Sequence, residues 1–272
     1  MDRIREDWKK IGTASAIKEA IRIATSSPLA LYQRVIHGGQ KAIQYQIEQL
    51  MEYMGISTSS LKDYWGAIAS KRDLYAYMYG ALAGTYYGEL QTPQFLYVIV
   101  RTLKPAVVVE TGVAAGVSSA LILEALKDNE RGLLYSIDFP NYWAQNYLSK
   151  AEQSRLGCSA ELFPSLESLG KAPGFAIPQS LETRWALRLG KSKDILPNLL
   201  TEIGKTDIFL HDSEHTYDNM MFEYTTAWDY LPKGGLLLSH DISWNNSFRD
   251  FSRKVKRRSI EIYFTGTGAI IK

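Results

Sequence analysis

The chain has 272 residues, enough for one large domain or for a domain with an appended helical part. A formal net charge of +2 argues against nucleic acid as a partner, and the single cysteine, Cys158, excludes an internal disulfide and a cysteine-rich zinc site. The start "MDRIREDWKK" has no apolar run behind it, and no stretch reaches the roughly 18 apolar residues of a spanning helix. The expectation is a soluble, cytoplasmic protein with no membrane partner.

Residues 1–90 read as a helical N-terminal region. "AIKEAIRIA" (16–24) and "QKAIQYQIEQLMEYM" (40–54) place apolar residues at helical spacing. "TSSP" (25–28) and "HGG" (37–39) supply breaks, which makes His37 a helix-end residue. Aromatics concentrate between Asp63 and Leu90. They suit core packing between helices, with a substrate wall or a homo-oligomer contact as the alternatives. Thr92 and Pro93 then suit an N-cap and first helical position for "QFLYVIVRTL", a helix that ends at Lys104-Pro105.

The pattern changes after Pro105. "AVVVE", "LLYSID", "WALRLG", "DIFLHD" and "GGLLLSHD" are short apolar, β-prone runs. Helical stretches such as "SSALILEALKD" and "NMMFEYTTAWDYL" separate several of them. Alternation of this kind predicts parallel strands joined by crossovers. "IEIYFTGTGAIIK" reads as a terminal antiparallel hairpin. The fold expected is α/β: a doubly wound, mostly parallel seven-stranded sheet with that hairpin, spanning residues 91–272 behind the helical region. The long stretch 140–184 suits a lid or substrate loop. The basic run Arg249–Arg258 suits a solvated helix face, with an acidic-substrate site as the alternative.

In an open parallel sheet, ligands bind beyond the carboxyl ends of the strands. The first strand leads into "VVVETGVAAGVSSALIL", where Gly112 and Gly116 allow a close turn and Glu110 stands at the strand end. A carboxylate there repels a phosphate, and the fingerprint G-x-G-x-x-G is absent. Asp138, closing the second strand, can accept hydrogen bonds from both hydroxyls of a ribose. Together these residues resemble class I S-adenosylmethionine-dependent methyltransferases, and "LRLGKSKDILPNLL" resembles that class's adenine-pocket segment. The resemblance implies a cofactor site of Glu110, Gly112, Gly116, Ser118, Asp138 and Asp212. "HDSEHTY" followed by "GGLLLSHD" is similar to a narrower group, the macrocin, rhamnosyl and cephalosporin-hydroxylase-like O-methyltransferases. That likeness implies a hydroxyl acceptor on a small molecule or glycan.

Asp212 closes the fourth strand and His240-Asp241 the fifth, with His215 and Tyr217 just after Asp212. Methyl transfer to oxygen needs the hydroxyl deprotonated as it attacks, which suits a histidine near its ordinary pKa. His215 and Asp212 are therefore the candidate catalytic residues, and His211 reads as a core or supporting residue. The resemblance also allows a divalent metal on Asp212 and Asp241, although His240 stands where metal-using relatives commonly carry an acid. Two alternatives stay open at this point: an NAD(P)-dependent oxidoreductase on a related sheet, and a cofactor-binding protein without catalysis.

Overall fold

Alternation along the strands decides which helices cover which face of the sheet. The computed structural model describes residues 28–85, 93–139, 166 and 169–272, with side chains from residue 39. Its sheet has seven strands in the order β3-β2-β1-β4-β5-β7-β6. These are β1 Val107–Thr111, β2 Leu133–Asp138, β3 Trp185–Leu189, β4 Ile208–His211, β5 Leu236–Ser239, β6 Ser259–Ile262 and β7 Thr267–Ile271. The first five pair in parallel, and β7 runs antiparallel between β5 and β6. The sheet and its terminal hairpin match the sequence expectation.

Side chains on successive strand positions point to opposite faces. Val108, Ile208, Leu210, Leu236 and Leu238 enter one buried cluster, and Val109, Phe209 and Leu237 enter another. The first cluster packs beneath α1 (Pro28–Tyr53), α2 (Leu61–Ser70), α4 (Gln94–Leu103) and α5 (Val117–Asp128) and takes in residues of α3 (Arg72–Leu82). The second packs beneath α6 (Ser192–Ile203), α7 (Tyr217–Tyr230) and α8 (Ser247–Lys254). With both faces covered, the central strands have no polar side, which is why they read as unbroken apolar runs.

Two helical expectations need correction. α1 runs unbroken through His37-Gly38-Gly39, so His37 is a mid-helix residue. Each interior glycine costs about 1 kcal/mol of helix propensity. Burial of Ala42, Ile47, Leu50 and Met51 along the same helix outweighs that weak local preference. The other concerns α4, which starts at Gln94 with Pro93 as its N-cap residue rather than at Pro93 itself. Thr92, the segment 1–27 and most of 140–168 lie outside the described residues, as does the expected boundary near residue 90.

The N-terminal helices share the core of the sheet, since Ile47, Leu50, Trp65 and Met78 belong to the cluster that contains Val108 and Leu134. A charged clamp adds to this. Lys71, between α2 and α3, donates to Glu124 at 2.6 Å and to Asp128 at 2.9 Å on α5. Tyr97 of α4 donates to the same Asp128. Glu124 is only 6% exposed, so losing Lys71 strands a carboxylate with poor access to water. Lys71→Met should lower stability by about 1.5–3 kcal/mol, read from urea unfolding, and Lys71→Arg should recover most of it. A loss below about 0.5 kcal/mol would mark the clamp as an ordinary surface pair.

Candidate active site

The loop after β1 is shaped by three residues with positive φ, Gly112, Ala114 and Gly116. Its amides are anchored from below: Asp138 Oδ2 accepts from Val113 N at 2.6 Å and Ala114 N at 2.9 Å. From the side, Gly174 N donates to Ala114 O and Ala176 N to Ala115 O, both at 2.8 Å. Beyond it, the ends of three strands are tied together. Asp212 N donates to Thr111 O and His240 N to His211 O, each at 2.8 Å.

A cavity of about 600 Å³ opens between this loop, the strand ends and the N-terminal helices. Gly116, Ser118, Asp212 and His240 line it from the sheet side, while Gln40 and Trp65 line it from α1 and α2. Its size is that of a small-ligand site. Of the residues expected at the cofactor, the structure therefore brings Gly116, Ser118 and Asp212 to one cavity.

Gly112 and Glu110 are not among the residues that line this cavity. A Cβ at Gly112 would collide with the Asp212 carbonyl, and one at Gly116 would lie 2.7 Å from Ile177 Cγ1. The two glycines are required by protein packed against the loop. Glu110 is fully buried and does not line the cavity. Its Oε1 accepts from Ser119 and, at 2.6 Å, from Ser136, whose Oγ in turn accepts from Trp185 Nε1 at 2.7 Å. Burial raises the Glu110 carboxyl to about 7 despite those two hydrogen bonds. Burial also raises Asp138, against the pull of its two amide donors.

The histidines and acids after β4 and β5 do come together. Asp212 Oδ1 lies 3.0 Å from His240 Nδ1 and 3.7 Å from His215 Nε2. Asp241 Oδ2 lies 4.0 Å from His215 Nε2. Thr216 caps α7 by accepting from Asn219 N, which makes Tyr217 the first helical residue and leaves it exposed at the surface. The histidine expected near its ordinary pKa is not found at His215. Burial, and then the neighbouring His211, hold it down to about 3. Burial works against a charged His240 too, but Asp212 and then Asp241 lift it to about 10. Asp212 sits below the usual carboxylate range, because His240 and His215 outweigh its burial.

Sequence reasoning missed the support beneath this corner. Glu223 is fully buried on α7 and lies 2.6 Å from His211 Nδ1. It also accepts from Thr111, Ser213 and Asn219. Burial would raise Glu223, yet His211, and then Ser192 and Thr111, hold it down to about 2. A signal existed: Met220, Glu223, Tyr224 and Ala227 share the buried face of one helix, so an acid occupies a core position. Gln40 and Gln94 were also missed as cavity walls, and they carry no motif, whereas Trp65 belongs to the aromatic stretch for which a substrate wall was one alternative.

Two outcomes follow from the glycine contact and the buried acid. Gly112→Ala forces a side chain into the Asp212 backbone, and should cost about 1–3 kcal/mol and weaken cofactor binding together with stability. For Glu110, the folded carboxyl holds its proton to about 7 whereas the unfolded one releases it near 4.5. Its contribution is therefore complete below pH 4.5 and is lost as pH rises through 7, by about 3 kcal/mol at one pKa unit per 1.36 kcal/mol. Glu110→Gln removes this term, so the stability gap between variant and wild type should move in the variant's favour from pH 5 to pH 8. A gap that stays constant in chemical denaturation across that range would contradict it.

A family described as "Methyltransferase domain" matches residues 109–242. No curated protein matches the chain. Among solved structures, a Podospora anserina methyltransferase bound to S-adenosylhomocysteine (SAH) is 15% identical, with a TM-score of 0.48 over 79% of this chain and 96% of that one. An O-methyltransferase from Bacillus cereus in complex with SAH is 11% identical, with a TM-score of 0.44 over 92% of this chain and all (100%) of that one. The O-methyltransferase TomG from Streptomyces achromogenes is 18% identical, with a TM-score of 0.44 over 67% of this chain and 81% of that one. Residues 109–242 therefore carry the likeness to a methyltransferase domain.

Proposed function

We propose that the chain transfers the methyl group of S-adenosylmethionine to a hydroxyl oxygen of a small molecule or sugar. The observation that carries this reading is one cavity whose wall joins the cofactor loop, at Gly116 and Ser118, to the polar corner at Asp212 and His240. A methyl donor seated on the loop would meet an acceptor at that corner. The loop residues Gly116 and Ser118 hold the methionine end of the cofactor. Asp138, bracing the loop through one carboxylate oxygen, holds the ribose through the other.

In the reaction the acceptor oxygen attacks the methyl carbon in line with the carbon–sulfur bond. That bond breaks with its electron pair going to sulfur, so the sulfonium becomes neutral SAH and the hydroxyl gives up its proton. Asp212 and His215 face that oxygen in our reading; they orient it and, where no metal ion occupies the corner, receive the proton. Both are weak bases, since each is held below its ordinary pKa. The nicotinamide alternative lacks its glycine fingerprint, and the tightly packed polar corner weighs against a protein that only binds cofactor.

Helices α1 and α3 expose Tyr53, Tyr77 and Tyr79, a face suited to a second copy of the chain. No helix among the described residues is long and apolar enough to cross a membrane. A cytoplasmic setting fits the single cysteine.

The test is transfer of labelled methyl from S-adenosylmethionine to a panel of hydroxylated small molecules and sugars, with products identified by mass. Formation of a methyl ether with an equal amount of SAH is the expected result. Methyl on nitrogen or carbon, or thermal stabilisation by NAD and not by SAH, would overturn the reading. His215→Ala should lose roughly 10²–10⁴ in turnover and keep its affinity for SAH.

A further inference from the structure

We infer that Asp212, His215 and His240, with Asp241 beside them, form a divalent-metal site suited to a first-row transition ion and not to magnesium. The inference rests on the reading above only in taking this corner as the place of the acceptor hydroxyl. One ligand atom from each of Asp212, His215 and His240 falls within 4.8 Å of the other two. Bonds of about 2.1 Å, at angles between square and tetrahedral, separate neighbouring ligand atoms by about 3.0–3.4 Å. Asp212 lies 3.0 Å from His240 and 3.7 Å from His215, and Asp241 lies 4.0 Å from His215, so a small inward movement brings these pairs to that span.

A second observation concerns His215. Its Nε2 is buried and has no hydrogen-bond partner, although two carboxylates stand near it. At 3.7 and 4.0 Å these are too distant to accept a hydrogen bond, but close enough to share an ion with it. An orphaned ring nitrogen in such a place costs stability unless something else occupies it. The backbone adds to the case. Asp241 sits at φ 52°, a left-handed conformation that costs a non-glycine residue about 1–2 kcal/mol. Strain of this kind is retained where it aims a side chain at a ligand.

The donor set decides the metal. Magnesium takes oxygen ligands and keeps several waters. Two imidazoles with one or two carboxylates suit iron, cobalt, nickel or zinc, which bind nitrogen far better. The oxygen-only set implied by the family resemblance is thus not what this chain presents, because His240 replaces an acid and His215 adds a second ring. When bound, such an ion lowers the pKa of a hydroxyl coordinated to it. This chain's own part is to hold four donors on strand ends whose backbones are already tied together.

The experiment uses the full chain without a histidine tag, stripped with chelator and titrated with cobalt(II). Visible absorption and calorimetry report the ion directly, without any turnover. One equivalent should bind with a spectrum of nitrogen ligation, and millimolar magnesium should not displace it. His215→Ala and His240→Asn should each weaken cobalt by at least the roughly 10–100-fold that loss of an outer-shell partner costs. Both should still be stabilised by SAH, which separates ligand loss from misfolding. Absence of a stoichiometric cobalt site, displacement by equal magnesium, or unchanged affinity in both variants would overturn the inference. The two readings fail separately. A metal-free protein that makes methyl ethers removes the metal alone, and a cobalt-binding protein that methylates no hydroxyl removes the acceptor alone.

Discussion

The backbone of Asp212 lies so close to Gly112 that no Cβ fits between them. That approach fixes the distance between the cofactor loop and the end of β4, and the rest of the site is arranged around it. It forces a glycine at the first position of the loop and allows the ladder from β1 to continue as Asp212 N to Thr111 O. β5 follows through His240 N to His211 O. Three strand ends are thereby held in register by backbone hydrogen bonds, so the loop after β1 and the polar corner share one frame. Loops carry function well when a scaffold positions them in this way.

Charge is distributed in two layers under that frame. Deep in the protein, Glu223 stays ionised among His211, Thr111, Ser213 and Asn219. These donors come from the end of β1, the end of β4 and the loop behind it, so one carboxylate fixes three pieces of backbone. Replacing such a network by apolar groups can be neutral or stabilising, and its value here lies in fixing positions. Nearer the cavity, Asp212, His215, His240 and Asp241 form a mixed group that is only partly satisfied. The contrast lies in the partners: Glu223 has donors on both of its oxygens, whereas His215 Nε2 faces two carboxylates too distant to accept from it. Glu110 belongs to the lower layer despite its place at a strand end, since Ser119 and Ser136 turn it inward.

The sheet was readable because each central strand is apolar on both sides and each is followed by a polar turn. The ends of those strands were readable for the same reason, so the order of residues alone was enough to group Asp212, His215 and Asp241. What the sequence hides is direction. Glu110 is the last residue but one of β1 and Asp138 the last of β2, yet one points into the core and the other under the loop. Period-two alternation over five or six residues does not distinguish these near a strand's end. Gly112 and Gly116 were recognisable as obligatory glycines, but not which atoms would press on them. The glycines at 38 and 39 misled in the opposite sense, because burial of α1 overrode a local preference of about 1 kcal/mol per residue. Glu223 was overlooked as a charged residue on a helix, where a periodic count of its neighbours would have placed it in the core.

The cavity is carved out of the main core. Trp65, Phe95 and Leu96 line it and also belong to the cluster that holds α1, α2 and α4 against the sheet. Such residues cannot vary freely, because removing a large core side chain costs about 2–5 kcal/mol. The polar lining is different. Gln40, Gln94 and Thr265 border the same space without being members of that cluster. Gln94 donates to Tyr75 at 2.9 Å and Gln40 to Gln94 at 3.4 Å, so these groups are linked from helix to helix across the cavity wall. Buried polar groups discriminate between ligands more sharply than apolar walls, since a mismatched ligand leaves them unpaired. Thr267 is buried and Gln94 and Thr265 are partly so, which makes them the polar groups a ligand in this cavity would have to satisfy, while the aromatic wall sets the volume and holds the helices in place.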